Sequence, residues 1–462
     1  MTTWTPAVGT GFGEALTADT HPAAVRVALS PGAVLDPFAM AGGSGVVLAS
    51  GDRVLVGIGS ALSLDLPLGL DDADGVDVVA AALASVACDD RLDPAQHGHA
   101  VVAFGALPFD RRAPAALVVP ELTYGREADG TEWVTLVSAD GSGLPDPDDP
   151  SVADSLRHRL AARGAEHLGD DRTPLHPVVA PRAGYDDFER SVATAVDVIH
   201  RGELTKVVLS RSVDVRLDTG PDIVGLLRRW AVLEPSCTVF SVPTPDGQFV
   251  GASPELLVER RGTRVRSRPL AGTTDRFHES GSELPAELLD SVKDGEEHRL
   301  VVEAIRDELA PLTTELHMPD RPELVHLHTI THLGTAIDGI LDTGPDGSLP
   351  SVLHLVARLH PTPAVGGVPR AAATELIRRL EPTGRGTYAG PVGYVDAAGD
   401  GRWMIGIRAM TVDGRTVSMT AGVGIVAGSD PRTERIETLL KLRAVFAALA
   451  PGVDFDTDSP TN

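Results

Sequence analysis

Three charged residues near the end of the chain have the spacing of a single helix face. The segment 428–442, GSDPRTERIETLLKL, contains a proline that suits a first helical turn, and its candidate N-caps are Ser429 and Asp430. Glu434, Glu437 and Lys441 follow at intervals of three and four residues, which places them side by side on a helix. The apolar stripe of this helix would consist of Leu439, Leu442, Phe446 and Leu449. The charged face either points to solvent, as such faces usually do, or presents two carboxylates to a polar cavity.

A lysine stands near the start of a predicted strand. The segment 205–217, TKVVLSRSVDVRL, alternates with a period of two, although Val208 and Arg211 interrupt the pattern. One face would consist of Val207, Leu209, Val213 and Val215. The other would consist of Lys206, Ser210, Ser212 and Asp214. The pattern therefore places Lys206 on a mainly polar face.

Two more glutamates lie beside a predicted turn and at the start of a predicted helix. Glu255 follows a Ser-Pro pair in GASPELLVER, and Glu297 lies in the first turn of the helix predicted for SVKDGEEHRLVVEAIRDEL. Taken singly, each has a structural interpretation, since acidic residues stabilise helix N-termini. Together with Glu434 and Glu437 they give four carboxylates, each able to act as a general acid or to bind a hard cation. A ligand set made of oxygen atoms favours magnesium over zinc.

Two further motifs suggest a zinc site and a dinucleotide site, but the residues around them argue against both. VHLHTITHLG contains His326, His328 and His332, but no cysteine is near and Glu323 falls on the other strand face, which argues against zinc. His332, just before a Leu-Gly turn, is the best placed of the three to line a site. In AGVGIVAGSDP the third glycine comes one residue too late for a dinucleotide fingerprint. That segment still offers backbone N–H groups to an anion such as a carboxylate.

The elements that position these residues predict an α+β protein. Segment 45–59 has the pattern of a β-hairpin, the segment from Tyr185 to Leu204 contains an amphipathic helix, and many later segments alternate as strands. Strands joined by hairpins, with helices interspersed, indicate large antiparallel sheets covered by helices. A polar loop at 139–151 precedes a short helix, and 169–184 has the composition of a connection. We divide the chain into a scaffold half (1–180), a catalytic region (184–452) and a flexible tail (453–462).

The amino-acid composition limits the kinds of partner that the protein can bind. The 462 residues include 40 basic and 65 acidic side chains, a formal net charge of −25, which would repel nucleic acid and anionic membranes. The first 20 residues lack the pattern of a secretory signal and the apolar stretch 75–88 is too short to span a bilayer, so we expect a cytoplasmic protein. Two cysteines, Cys88 and Cys237, exclude a disulfide framework. Any anionic ligand requires a local cation, an arginine or a helix N-terminus.

Ten motifs in order resemble the chorismate-utilising enzymes, and among them most closely the isochorismate synthases. They are TKVVLSRS, GASPELL, PLAGTTDR, EEHRLVV, HLGTAIDG, LHPTPAVGG, TYAGPVGY, WMIGIRAM, AGVGIVAGSDP and ERIETLLK. The resemblance covers residues 184–449 and is looser over the first 180. It implies a single large sandwich of sheets and helices, magnesium as cofactor and chorismate as substrate.

The resemblance also implies a role for each candidate residue. Lys206 would deprotonate the water that attacks C2 of the ring, and Glu255 would protonate the departing C4 hydroxyl. Glu297 and Glu437 would hold magnesium against the ring carboxylate, with Glu434 assisting through water and Lys441 behind them. Tyr388 and Arg408 would bind the enolpyruvyl carboxylate beside a loop at Gly422 and Gly424, and the ring-side positions are Gly272, Thr273 and His332. These roles require a neutral Lys206 amine and a raised pKa at Glu255.

Two positions distinguish the related activities. The aminating relatives typically have glutamine in place of Lys206, and one group has a nucleophilic lysine where this chain has Ala271, so the resemblance favours water as nucleophile. Salicylate synthases share Lys206, but HPTPAVGG at 360–367 favours isochorismate as the final product. A salicylate synthase and an inactive chorismate-binding homologue remain as alternatives. The resemblance favours a monomer or weak homodimer and leaves menaquinone and siderophore synthesis both open as the destination of the product.

Overall fold

The computed structural model describes most of the chain. The described residues are 21–51, 53–167, 177–181, 185–275, 286–344, 347–381, 383–453 and 455. They form one interleaved arrangement of strands and helices, in which two short 3-10 turns lie at Gly69–Asp71 and Ala310–Leu312.

The first part of the chain contains four helices and nine strands in its described residues. The helices are α1 (Pro37–Ala41), α2 (Ala73–Ser85), α3 (Pro94–His97) and α4 (Ser151–Glu166). The strands are β1 (Ala23–Ala28), β2 (Val46–Ala49), β3 (Arg53–Ile58), β4 (Leu62–Leu66), β5 (Ala87–Asp90), β6 (Val102–Ala106), β7 (Ala115–Val119), β8 (Leu122–Glu127) and β9 (Glu132–Ser138).

The second part supplies the remaining elements. Its helices are α5 (Tyr185–His200), α6 (Ile223–Leu233), α7 (Ala286–Asp290), α8 (Val292–Leu309), α9 (Val352–Leu359), α10 (Arg370–Leu380) and α11 (Pro431–Leu449). Its strands up to the chain's middle are β10 (Val178–Pro181), β11 (Lys206–Arg216), β12 (Thr238–Thr244), β13 (Gly247–Ser253), β14 (Leu256–Arg261), β15 (Arg264–Arg268) and β16 (Leu270–Asp275). The later strands are β17 (Thr313–His317), β18 (Glu323–His326), β19 (Ile330–Gly334), β20 (Ile337–Leu341), β21 (Gly367–Val368), β22 (Pro391–Asp396), β23 (Gly401–Ile405), β24 (Ala409–Asp413) and β25 (Thr416–Ile425).

The two larger sheets each contain strands from both parts of the chain. Among the described strands, a 13-stranded sheet runs β10-β11-β25-β24-β13-β12-β2-β3-β8-β9-β1-β5, with β21 also paired to β11. A 9-stranded sheet runs β17-β20-β15-β14-β23-β22-β6-β7-β4, and a 3-stranded sheet runs β16-β19-β18. Apart from the parallel pair β1 and β5, the described strand pairs are antiparallel. Each large sheet is therefore completed by a junction between early and late strands.

The core has the layers of a sandwich. One apolar cluster joins residues of the two large sheets, among them Leu48 of β2 and Phe104 of β6. The alternate residue Val47 faces away from it, into a second cluster that also contains Phe446 of α11. A third cluster contains residues of α8, α9 and α10, of which α9 packs on β14 of the 9-stranded sheet and α10 on β11 and β21 of the 13-stranded sheet. Since strand residues alternate between faces, the sheets bury one face against each other and the other under helices.

The structure confirms the predicted α+β class and most of the predicted elements. The 45–59 hairpin forms β2 and β3, and the predicted helix after Tyr185 and strand after Lys206 are α5 and β11. The helix after the 139–151 loop is not short, because α4 has 16 residues. The connection at 169–184 includes β10, which pairs with β11, while its residues 169–176 and 182–184 lie outside the described ones. Of the predicted flexible tail, 454 and 456–462 also lie outside them, whereas Phe455 is buried against Phe446.

Candidate active site

The candidate residues meet in one cleft, at the point where β11 and β25 approach β16, β19, α8 and α11. All of the sequence-predicted site residues line this cleft except Lys206 and Glu434. Those that do are Glu255, Gly272, Thr273, Glu297, His332, Tyr388, Arg408, Gly422, Gly424, Glu437 and Lys441. Both exceptions are buried within the elements that form its wall.

Lys206 is the first residue of β11 and is fully buried. Its Nζ donates to Oε1 of Glu297 at 2.9 Å, so a strand and a helix distant in sequence meet at this contact. Gly424 faces the pair from β25, and a Cβ there would lie 2.9 Å from Glu297 Oε1 and 3.0 Å from Lys206 Cε. The strand pattern predicted a mainly polar face for Lys206 but not its burial, because what covers that face comes from other elements.

Glu255 lies between β13 and β14 and is 3% exposed. Burial raises the pKa of its carboxyl to about 8, although Lys206, a backbone hydrogen bond from Leu270 and Arg408 all act in the opposite direction. Because an uncharged carboxyl is easier to bury than a carboxylate, the protein keeps Glu255 protonated at neutral pH. The predicted rise in its pKa is therefore present in the structure.

His332 and Arg408 form a second defined contact in the cleft. His332 Nδ1 lies 3.0 Å from the carbonyl of Gly272 and 3.0 Å from Thr273 Oγ1. A carbonyl only accepts, so Nδ1 bears the hydrogen and Nε2 accepts from Arg408 Nη2 at 3.1 Å. Burial, then the Arg408 guanidinium, lowers the pKa of His332 to about 3, which agrees with a neutral ring. His326 and His328 do not join it, since His326 ends β18 and His328 lies beyond that strand.

Arg408 is held in a conformation suited to an anion. Its φ is +53°, which non-glycine residues rarely adopt, and burial lowers the pKa of its guanidinium. Among the described residues its buried Nε has no hydrogen-bond partner. Tyr388, whose pKa burial raises, lies close by, with its hydroxyl 3.2 Å from the point where a Cβ on Gly422 would be. A carboxylate in the cleft would satisfy the unpaired Nε, because buried donors require acceptors.

Glu437 and Lys441 of α11 line the same cleft. Asp430 accepts from the backbone N–H of Thr433 and so begins the helix, as one of the two candidate N-caps. Glu437 Oε1 accepts from Lys441 Nζ at 2.7 Å, and Lys441 also donates to the Gly422 carbonyl at 3.0 Å. Glu434, one turn earlier, is 3% exposed. The charged face of this helix is therefore turned toward the protein rather than toward solvent.

The comparisons with known proteins agree with this site. The model of the chorismate binding enzyme family matches residues 48–450. The chain belongs to this family. It is 36% identical over 364 residues to isochorismate synthase DhbC of Bacillus subtilis, covering 76% of this chain and 80% of that protein. It is 34% identical over 348 residues to isochorismate synthase EntC of Escherichia coli strain K12, covering 75% and 80%.

A solved structure shows the same architecture. MenF, the menaquinone-specific isochorismate synthase from Escherichia coli, matches this chorismate binding enzyme with a TM-score of 0.73 at 24% identity, over 94% of this chain and 95% of that one. At that identity the likeness shows the fold alone. No helix among the described residues is both long and apolar enough to cross a membrane.

Two charged residues of the cleft were not found from the sequence. Asp294, in the first turn of α8, lies against Gly272, whose φ is +70° at an irregularity between β16 and β19. Arg385 is a buried arginine two residues before the TYAGPVGY motif. The sequence did contain a signal for Arg385, because this charged residue lies between two glycines and next to the motif that contains Tyr388. Its contacts with Val208 and Phe109 lie far away in sequence, so the segment alone does not reveal them.

Proposed function

We propose that this chorismate binding enzyme is an isochorismate synthase, which adds water at C2 of chorismate and releases the C4 hydroxyl. The observation that supports this most is the combination of a buried lysine, Lys206, with a carboxyl that is protonated at neutral pH, Glu255. A base and an acid of these types are what the substitution of one hydroxyl by another requires. Relatives that carry this activity in their names cover most of the chain.

The proposed steps conserve all atoms. The neutral amine of Lys206 takes a proton from water as its oxygen bonds to C2, the ring double bond shifts, and the C4–O bond breaks. Glu255 gives its proton to that departing oxygen, which leaves as water. The net change is therefore an isomerisation. Arg408 and Tyr388 would hold a substrate carboxylate and fix the ring between acid and base.

We propose that magnesium acts in this site. The residues that would hold it are Glu297 and Glu437, with Glu434 nearby, and their oxygen donors are those that magnesium prefers. Glu297 and Glu437 each accept a hydrogen bond from a lysine Nζ, at 2.9 and 2.7 Å, so both carboxylates already bind a polar donor. The described residues contain no group of three or more His, Cys, Asp or Glu side chains close enough to hold a metal ion together. A bound magnesium ion would supply the positive charge that a dianionic substrate needs in a protein of net charge −25.

The deciding experiment is a product analysis in labelled water. Purified protein is incubated with chorismate and magnesium in ¹⁸O water without ammonia, and the products are separated and weighed by mass spectrometry. We expect isochorismate with one incorporated ¹⁸O, and a Lys206→Ala variant that remains folded but inactive. Salicylate with pyruvate would instead show a salicylate synthase, and unchanged chorismate would show a binding protein.

We also propose that the protein acts as a monomer in the cytoplasm. Light scattering after size exclusion would give the mass of one chain if the first part is right. Cell fractionation would recover the protein with cytoplasmic markers if the second part is right.

A further inference from the structure

The strand that begins with Lys206 lacks a neighbour along part of one edge. On that edge β21 pairs with Lys206 and Val207, and β10 pairs with the residues from Val213 onward. The opposite edge is paired with β25 along most of its length. Between β21 and β10, none of the described strands pairs with the free edge of β11. The backbone groups there need other partners, because unpaired groups in a buried strand are costly.

An ion pair takes the place of the missing strand. Glu381, at the C-terminal end of α10, accepts the backbone N–H of Ser210 at 2.7 Å and its hydroxyl at 2.9 Å. Arg385 Nη2 donates to the Val208 carbonyl at 2.7 Å. The two side chains also bind each other through two bonds of 2.7 Å and are 8% and 1% exposed. The Val208 N–H still donates to the Gly366 carbonyl at 2.8 Å, and the pair continues the hydrogen bonding of β11 from there, at the Val208 carbonyl and the Ser210 N–H.

Arg385 reaches two more parts of the molecule. Its Nη1 donates to the Val365 carbonyl at 2.7 Å, and its guanidinium carbon lies 4.2 Å from the centre of the Phe109 ring. Val208, Val365 and Arg385 all line the cleft. Phe109 belongs to the first part of the chain, and its N–H donates to the Gly386 carbonyl at 2.9 Å. The arginine thus fixes two walls of the cleft at once, with an aromatic ring behind it.

We infer that the Glu381–Arg385 pair positions Lys206, by holding β11 two to four residues after its first residue. This inference rests on the proposed isochorismate synthase activity and adds two positioning residues to it. Neither side chain needs to touch the substrate. A shift of a base by about 1 Å can reduce turnover by roughly a hundredfold, so a strand held less firmly should lose rate before it loses substrate binding.

The test compares variants by their kcat per folded molecule. Arg385→Lys keeps the positive charge but cannot form the two parallel hydrogen bonds of the guanidinium group. Glu381→Gln keeps the shape of the side chain but removes its negative charge. Both are assayed with chorismate and magnesium well below their unfolding temperature, with the folded fraction measured by near-ultraviolet circular dichroism. We expect kcat per folded molecule to fall at least about tenfold while KM for chorismate stays within about threefold.

The matched control lies on the same helix. Arg378 forms a two-bond pair with Asp110, at 2.9 and 2.8 Å, and among the described residues it is neither bonded to β11 nor part of the cleft lining. Arg378→Lys should keep both kcat and KM. A purely structural pair would instead lower the unfolding temperature of the Arg385 and Glu381 variants and leave kcat per folded molecule unchanged, which would overturn the inference. So would a rise in KM at constant kcat.

A milder variant and the wild-type activity distinguish the remaining outcomes. Ser210→Ala removes one hydroxyl contact without leaving a buried charge, so it should fold even if the other variants do not. Its kcat should then fall about two- to fivefold, and an unchanged value would refute the positioning role. An inactive wild-type chain would refute the proposed function itself, whereas an active wild type with unaffected variants would refute only this inference.

Discussion

At the scale of single residues, the site buries one acidic and one basic side chain in different surroundings. Glu255 is buried and neutral, since burial outweighs the neighbouring positive groups and raises its pKa to about 8. Lys206 is equally buried, but it has the Glu297 carboxylate at 2.9 Å. A buried charge with a partner is tolerated, whereas a buried charge without one is not. The cleft can therefore hold a proton donor and a basic side chain, each buried in different surroundings.

The pKa of Glu255 predicts how the rate depends on pH. Because the pKa is raised, the protonated form needed for general acid catalysis is present below about pH 8 and is lost as pH increases through that value. We expect the rate of isochorismate formation at saturating magnesium to decrease about tenfold per pH unit above 8. Glu255→Gln, which cannot give up a proton, should lose roughly two to four orders of magnitude at every pH. A wild-type rate that stays constant between pH 7 and 10 would contradict this role.

Gly424 gives a steric test of the Lys206–Glu297 contact. A methyl group there would lie 2.9 Å from Glu297 Oε1 and 3.0 Å from Lys206 Cε, so both side chains would have to move. We expect Gly424→Ala to lower kcat by about ten- to a hundredfold in steady-state assays while the protein stays folded. Gly428→Ala is the control, because a Cβ at Gly428 meets nothing within 4 Å. Equal activities of the two variants would show that the contact does not matter for turnover.

At the scale of elements, the sequence predicted those whose pattern is local. β11 and the apolar stripe of α11 followed from their periods, and Leu442 and Phe446 of that stripe are buried as expected. The helix α10 was not predicted, although Ala373, Leu376 and Ile377 give it a buried face with helical spacing. Periodicity assigns a residue to a face, but it does not say what covers that face.

The same limit applies to the candidate site. The acid, the base and the ligands were found through motifs, while Glu381 and Arg385 were not. Their partners on β11, Ser210 and Val208, are 171 and 177 residues away in the chain. No local pattern contains such a contact, because it depends on which strand edge the fold leaves open. Burial of Lys206 and the neutral ring of His332 have the same origin.

The N-cap of α11 should affect both the stability of the protein and its affinity for magnesium. Asp430 accepts from Thr433 at 2.9 Å and starts the helix that contains Glu434, Glu437 and Lys441. Asp430→Ala should loosen the first turn, lowering both the unfolding temperature and the apparent affinity for magnesium measured by activation of turnover. Asp222 caps α6 in the same way, accepting from Gly225 at 3.0 Å, and α6 contains none of the site residues. Asp222→Ala should destabilise the protein by about 1 kcal/mol without changing the magnesium dependence.

If both variants change the magnesium dependence equally, the effect is one of general stability and not of the carboxylates of α11. Thermal unfolding and magnesium titrations on the two proteins, in the same buffer, distinguish these cases. The two variants are comparable because each aspartate is the N-cap of one helix and its side chain accepts a hydrogen bond from a backbone N–H.

At the scale of the whole molecule, the division of the chain near residue 180 does not divide the sheets. β12 pairs with β2 through Val239 and Ala49, and β22 pairs with β6 through Val392 and Ala106. Side chains cross the same boundary, since Arg111 donates to the His360 carbonyl at 2.6 Å and Arg378 binds Asp110. The sequence showed two regions of different character, but not that their strands alternate within each sheet. We propose that the two regions fold as one unit.

Separating the regions tests that proposal. Residues 184–452 expressed alone would expose one edge of β12 and one edge of β22, and each exposed edge is a template for aggregation. We expect this fragment to be insoluble, or soluble without the near-ultraviolet circular dichroism of the full chain. Co-expression with residues 1–180 should restore a soluble complex with isochorismate synthase activity, because the missing strands then return to both sheets. A fragment of residues 184–452 that unfolds cooperatively as a monomer would show that the catalytic region is an independent domain.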